Sequence, residues 1–169
     1  LKDLDKAALC FEKAIELNPN SHAPHNNLGL TYHDMRRFDR AIESYKKAVA
    51  IYPDYFAAHN NLGQACISMG QYQRATEYLT QALQIQSAPE AYTNRANAYA
   101  SLFEFEKALE DLQSALNLDP EFRLAHVNRS MLRLLLGQFE EGWPEYEWRL
   151  QSSSTLKKSH LLGKMRWLG

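Results

Sequence analysis

The stretch His25-Asn-Asn-Leu-Gly29 returns as His59-Asn-Asn-Leu-Gly63, 34 residues further on (63 − 29). That interval constrains the fold more than any other feature. A unit so short cannot enclose its own apolar face and must lay it against the next copy. Two looser copies keep the register, with Ala96 and Ser130 in the glycine place. A second small residue marks each unit, as Ala41, Ala75, Ala108 and Gly142. The chain is expected to be a stack of like units without one central core.

Within each unit the pattern predicts two helices separated by a short break. Leu4, Ala7, Ala8, Phe11, Ala14, Ile15 and Leu17 recur at three- and four-residue spacing, one apolar stripe of a helix. Asn18-Pro19-Asn20 ends it, because proline lacks the amide donor and disfavours helix in the residue before it. Residues 1–21 read as a partial unit, and the chain, which begins without Met inside a helix, is expected to be an excised fragment. Whole units follow at 22–55, 56–88, 89–122 and 123–150, then a tail at 151–169. Ser21 is a candidate N-cap, and Pro24 and Pro144 are read as first-turn prolines, where no donor is needed. Gly29 and Ala41 are small so that paired helices can approach, while Tyr32, Phe38 and Tyr45 fill the space beside them. The tail, with Leu156, Leu161, Leu162 and Trp167, is expected to pack against the last helices.

Charge and composition exclude several classes. The 19 basic and 20 acidic residues leave a net charge of −1, which gives no basis for bulk nucleic-acid binding or a polybasic membrane surface. No apolar run approaches the ~18 residues of a membrane span, and no signal or transit peptide is visible. Cys10 and Cys66 read as reduced, small apolar residues of an intracellular, cytoplasmic protein. No metal site is expected: His22 and His25 lack a third ligand, and His25, His59 and His126 share one repeat position as packing residues. Glu140, Glu141, Glu145 and Glu147 read as a solvated face and first-turn charges, not catalytic carboxylates. No cofactor and no enzyme activity of this chain are expected.

The Leu-Gly, Tyr, Ala, Tyr or Phe, Ala and Pro pattern at these spacings resembles the tetratricopeptide repeat (TPR) family over residues 1–150. The resemblance implies an all-α, right-handed superhelix: one preceding helix, about four helix pairs and a capping tail. It also implies a concave groove, lined by the first helices, that holds a protein or peptide partner. Asn27, Asn61, Asn94 and Asn128 stand two residues before each glycine place, similar to the asparagine ladder in the TPR arm of O-linked N-acetylglucosamine transferase. A side-chain amide donates and accepts, so it can hold a main chain of any sequence. The alternative is that these asparagines bond the neighbouring repeat. Asn26, Asn60, Gln64 and Asn97 are expected beside them in the groove, whose last unit turns apolar at Val127, Met131, Leu134 and Leu135. The Lys and Arg grip of the family's chaperone-tail adaptors is missing, since the matching places hold Asn26, Asn60, Glu90 and Asn94. Gly137-Gln-Phe-Glu-Glu-Gly-Trp-Pro-Glu-Tyr-Glu-Trp-Arg149 is similar to the closing repeat of bacterial TPR–glycosyltransferase proteins, and its aromatics are expected to cap the stack. Three functions stay open: a peptide-binding scaffold, the substrate-recruiting arm of a larger glycosyltransferase, and self-association through the exposed Leu4–Ile15 helix.

Overall fold

The computed structural model describes residues 2–150, and among the described residues the only regular structure is helical. Helix α1 (Lys2–Leu17) precedes four pairs. These are α2 (His22–Asp34) with α3 (Phe38–Ile51), α4 (Phe56–Ser68) with α5 (Tyr72–Ile85), α6 (Pro89–Ser101) with α7 (Phe105–Leu118), and α8 (Arg123–Leu135) with α9 (Phe139–Tyr146). A 3-10 turn, Glu147–Leu150, closes the described chain. Each second helix packs on the first helix of the next unit, and α2, α4, α6 and α8 also touch in series. The result is the all-α solenoid that the repeat requires. The tail expected to dock on it lies outside the described residues.

Each pair is fixed where small residues meet large ones. Ala41, Ala75 and Ala108 are fully buried at the crossings. A methyl group at Gly29 would stand 2.5 Å from Tyr45 Cε1, and one at Gly63 would press closer still on Leu79 Cγ. Tyr45, Leu79 and Leu112 occupy the same place in successive units and are almost wholly buried. Burial pushes the Tyr45 phenol well above its ordinary value.

The turns follow rules of their own. Arg36, Gly70, Phe103 and Gly137 all have positive φ, one in each turn between paired helices. The next amide reaches back over the helix end, as Gln71 N–H does to the Cys66 carbonyl at 2.9 Å, which closes a Schellman cap. Between units the chain must leave carbonyls of the proline turn without a helical donor. A histidine six residues later supplies one: His59 Nε2 donates to the Pro53 carbonyl and His126 Nε2 to that of Pro120, both at 2.8 Å. His25 bonds the Pro19 carbonyl in the same way; burial, with Lys47 adding to it, still holds that ring below its ordinary pKa. The third unit has Gln86-Ser87-Ala88 in place of a proline turn, and Tyr92 in place of the histidine. The packing histidines of the sequence therefore also cap the turns.

Four local expectations need correction. Ser21 occupies the N-cap position in extended backbone but makes no side-chain cap bond. Pro144 lies inside α9, not in its first turn, because the helix starts at Phe139. Its missing N–H removes the bond to the Glu140 carbonyl, and the helix tightens into the 3-10 turn soon after. Leu17 falls off the α1 stripe and is 88% exposed. Cys10 is exposed on α1 rather than packed, whereas Cys66 is buried at the α4 crossing, and both are free.

Two substitutions test this account by chemical denaturation. Gly63→Ala should cost about 1–3 kcal/mol, since the methyl meets Leu79 near its branch point in a filled core. Arg36→Gly should stabilise by about 0.5–1 kcal/mol, because it relieves a side chain from left-handed backbone. A neutral result at both sites would place the determinants of the stack elsewhere.

Candidate functional site

The first helices stand side by side, and amides connect them. Asn61 Nδ2 donates to Asn26 Oδ1 at 3.0 Å, and Asn94 Nδ2 donates to Asn60 Oδ1 at 3.0 Å. In the third unit the place of Asn60 is taken by Thr93, whose hydroxyl donates within α6 to the Pro89 carbonyl at 2.7 Å. Asn128 therefore reaches one turn further and donates to Asn97 Oδ1 at 2.8 Å. Ser68 Oγ and His33 Nε2 approach to 3.4 Å across the same α2–α4 seam. Asn27 is half-buried and Gln64 exposed, and neither side chain makes a hydrogen bond among the described residues.

Of the eight residues expected in the groove, the geometry directs six at each other in three amide pairs and leaves Asn27 and Gln64 without such a partner. A primary amide has two N–H donors and a carbonyl with two lone pairs. The ladder uses one N–H of Asn61, Asn94 and Asn128, so each keeps a second N–H and its own carbonyl. Among the described residues the one sealed side-chain polar atom without a partner is His59 Nδ1, so the unbonded carbonyl oxygens of Asn61, Asn94 and Asn128 are open to solvent. Met131 and Leu135, 71% exposed, continue the face as an apolar end.

A second constellation escaped the sequence reading. The place held by Leu28 and Leu62 becomes Arg95 and Arg129 in the last two units. Arg95 grips Asp111 with two parallel bonds of 2.8 Å and donates to Thr80 Oγ1 at 2.9 Å. Tyr92 and Tyr99 flank its guanidinium at 5.7 Å, and the hydrogen-bonded Asp111 holds its pKa above the ordinary value against burial. Arg129 repeats the clamp on Glu145, with Nε at 2.9 Å and Nη2 at 2.5 Å from Oε1. Glu145 also accepts from Arg133 at 2.9 Å and from His126 Nδ1 at 2.8 Å. Far from solvated, as the sequence suggests, it is only 9% exposed, because α8 turns three nitrogen-bearing side chains onto it. Trp148 stacks on His126 at 3.9 Å, while Trp143 remains exposed. The legible signal was an Arg and an acid 16 residues apart in two consecutive units.

No group of three metal-ligating side chains occurs among the described residues, and no described helix is long and apolar enough to cross a membrane.

The clamps give two expected outcomes. Asp111→Asn should cost about 3–5 kcal/mol by leaving a buried guanidinium unpaired. Importing the second unit's Leu62 and Tyr78 at the same places, as Arg95→Leu with Asp111→Tyr, should recover most of that loss. Burial favours the neutral Glu145 carboxyl, but the Arg129 and His126 bonds and the charge of Arg133 outweigh it and hold the pKa below 4.5. The resulting stability is present above pH 4.5 and lost as pH falls through the lowered value. Acid melts of wild type and Glu145→Gln should thus converge, and parallel curves would contradict the clamp.

Comparison with known proteins agrees with this architecture. Models of the tetratricopeptide repeat match residues 20–88 and 89–122, and a further TPR repeat model matches residues 1–35. No curated protein matches the chain. A crystal structure of MamA is 27% identical with a TM-score of 0.78, covering 88% of this chain and 88% of that one. The TPR protein TTC0263 of Thermus thermophilus is 24% identical with a TM-score of 0.77, covering 90% and 84%. YrrB, described as a TPR protein with an unusual peptide-binding site, is 22% identical with a TM-score of 0.71, covering 83% and 73%. These matches carry the repeat fold and nothing of the narrower likeness to glycosyltransferase arms. Arrayed helix pairs with matching repeat models over residues 1–122 make this chain a member of the tetratricopeptide repeat family.

Proposed function

We propose that the chain is a non-catalytic protein-interaction scaffold that holds an extended peptide along the face made by α2, α4, α6 and α8. The observation that carries this is the amide ladder with its unspent groups. Asn61, Asn94 and Asn128 each present an unbonded carbonyl at successive repeats, and the side-chain amides of Asn27 and Gln64 add donors beside them. Such groups suit a peptide main chain, which offers one donor and one acceptor per residue. Each bond is worth about 0.5–1.5 kcal/mol net, so affinity comes from several in series. Bonding between the asparagines supports the role, because it fixes their rotamers before a ligand arrives. The peptide-binding description of YrrB, a neighbour in fold, points the same way.

Self-association through α1 has less support. Phe11 and Ile15 turn inward against the core, and the exposed apolar residues of that helix are the separated Leu9 and Leu17. We place the module inside the cell, where Cys10 and Cys66 remain thiols.

A peptide array probed with the 169-residue chain should capture extended segments. Gln64→Ala should then weaken the captured peptide about threefold or more without moving the melting temperature. Asn61→Ala with Asn94→Ala should weaken it further and also lower stability by about 1–3 kcal/mol, since both ladder bonds are lost. Unchanged affinity in all three substitutions would remove the ladder face as the binding surface.

A further inference from the structure

The two arginine clamps differ in one respect that changes their charge balance. Arg95 faces one carboxylate, and its flanking places hold Tyr92 and Tyr99. In the next unit those flanking places hold His126 and Arg133. Arg129 and Arg133 therefore share the single carboxylate of Glu145, whose oxygens already accept four bonds at 2.9 Å or less. Both ring nitrogens of His126 are engaged as well, facing Glu145 and the Pro120 carbonyl. An open cleft of about 470 Å³, lined by both arginines, lies between α7 and α8, beside the α8–α9 turn.

The cleft wall carries the donors that Glu145 leaves over. Arg129 Nη1 donates into it, to Gln113 Oε1 at 2.6 Å, as Arg95 does to Thr80 one unit earlier. Arg133 commits only Nη1 to Glu145, so Nε and Nη2 remain. Gln113, Ser114 and Gln138 add polar groups, and Leu109 adds an apolar surface. Glu110 also lines the cleft and forms no ion pair with either arginine. None of these residues belongs to the asparagine ladder, which Asn128 joins by reaching to α6.

We propose that this α7–α8 cleft is a second binding site, which takes the carboxylate of an acidic side chain on a partner protein. The free Nε–Nη2 edge of Arg133 matches a planar two-oxygen acceptor, with the charge of Arg129 beside it, and the space suits a side chain together with part of its backbone. Leu109 would lie along its methylene stem. The site is separate from the ladder face and stands whether or not that face binds peptide.

A blocked, dye-labelled hexapeptide with two adjacent glutamates tests it against its glutamine twin, using fluorescence anisotropy and the Nε–Hε NMR signals of the arginines of the 169-residue chain. The glutamate peptide should bind about tenfold more tightly than its twin and move the Arg133 signal. Arg133→Gln should abolish the difference. Because that change also disturbs Glu145, Ser114→Glu serves as the second variant: it adds a second negative charge to the cleft lining beside that of Glu110, touches neither arginine's bond to Glu145, and should weaken binding about tenfold. Equal binding of the two peptides, an unmoved Arg133 signal or an indifferent Ser114→Glu would each overturn the site. Displacement by an equal concentration of sodium phosphate would also overturn it, by showing a bare anion spot with no preference for an acidic side chain.

Discussion

The fold depends on the close approach of two helices at a point where one of them offers a small side chain or none. Gly29 under Tyr45 and Gly63 under Leu79 leave no room for a methyl group, and the alanines at 41, 75 and 108 are sealed beside them. This contact fixes the angle within a pair, and the angle decides how the next pair can stack. The first helices come into register side by side because every crossing sets a small residue against a larger one, with glycine at 29 and 63, alanine at 96 and serine at 130 in the same place. The asparagine ladder is thus a product of packing several residues away from it.

The last two units keep the geometry and change the chemistry. Leucine at 28 and 62 gives way to arginine at 95 and 129, and each arginine finds an acid on its partner helix. Buried ion pairs rarely add much stability over apolar packing, because desolvation offsets their attraction. What they add here is direction. A bidentate pair holds one orientation, whereas a leucine tolerates several. Arg95 and Arg129 also bond the preceding second helix, through Thr80 and Gln113, so the same side chain joins pairing within a unit to stacking between units.

Much of this was legible in the residues. The 34-residue interval gave the units, and the small residues at fixed places gave the crossings. The helix ends near Pro53 and Pro120 followed from the missing amide donor. Contacts whose partners lie across a turn carry no amphipathic signal and show only when two consecutive units are compared. Arg129 and Glu145 are 16 residues apart, a spacing with no helical period, so Glu145 read as one more acid among Glu140, Glu141 and Glu147. The Pro–His spacing of six, seen at Pro53 and Pro120, likewise crosses a turn and gives no amphipathic signal. The direction of an amide could not be read at all. Asparagine at a repeated position fits a bond to a ligand or to a neighbour equally well, and Asn61 and Asn94 do bond neighbours.

A bond to a neighbour does not exclude a ligand, because an amide is never exhausted by one partner. An isolated asparagine on a helix must be ordered when it binds, and the loss of rotamer freedom offsets much of a single hydrogen bond. An asparagine already tied to the next repeat has met that cost on folding. Its remaining carbonyl then points in one direction, at an interval set by the stacking of the helices. A peptide could meet such a row repeatedly with no requirement on its side chains. Specificity would have to come from what varies along the face, from exposed Leu30 through Gln64 to Met131, and from charge elsewhere on the array. On the proposed reading the stack would supply the spacing, the amides the grip, and the units that depart most from the repeat the selectivity.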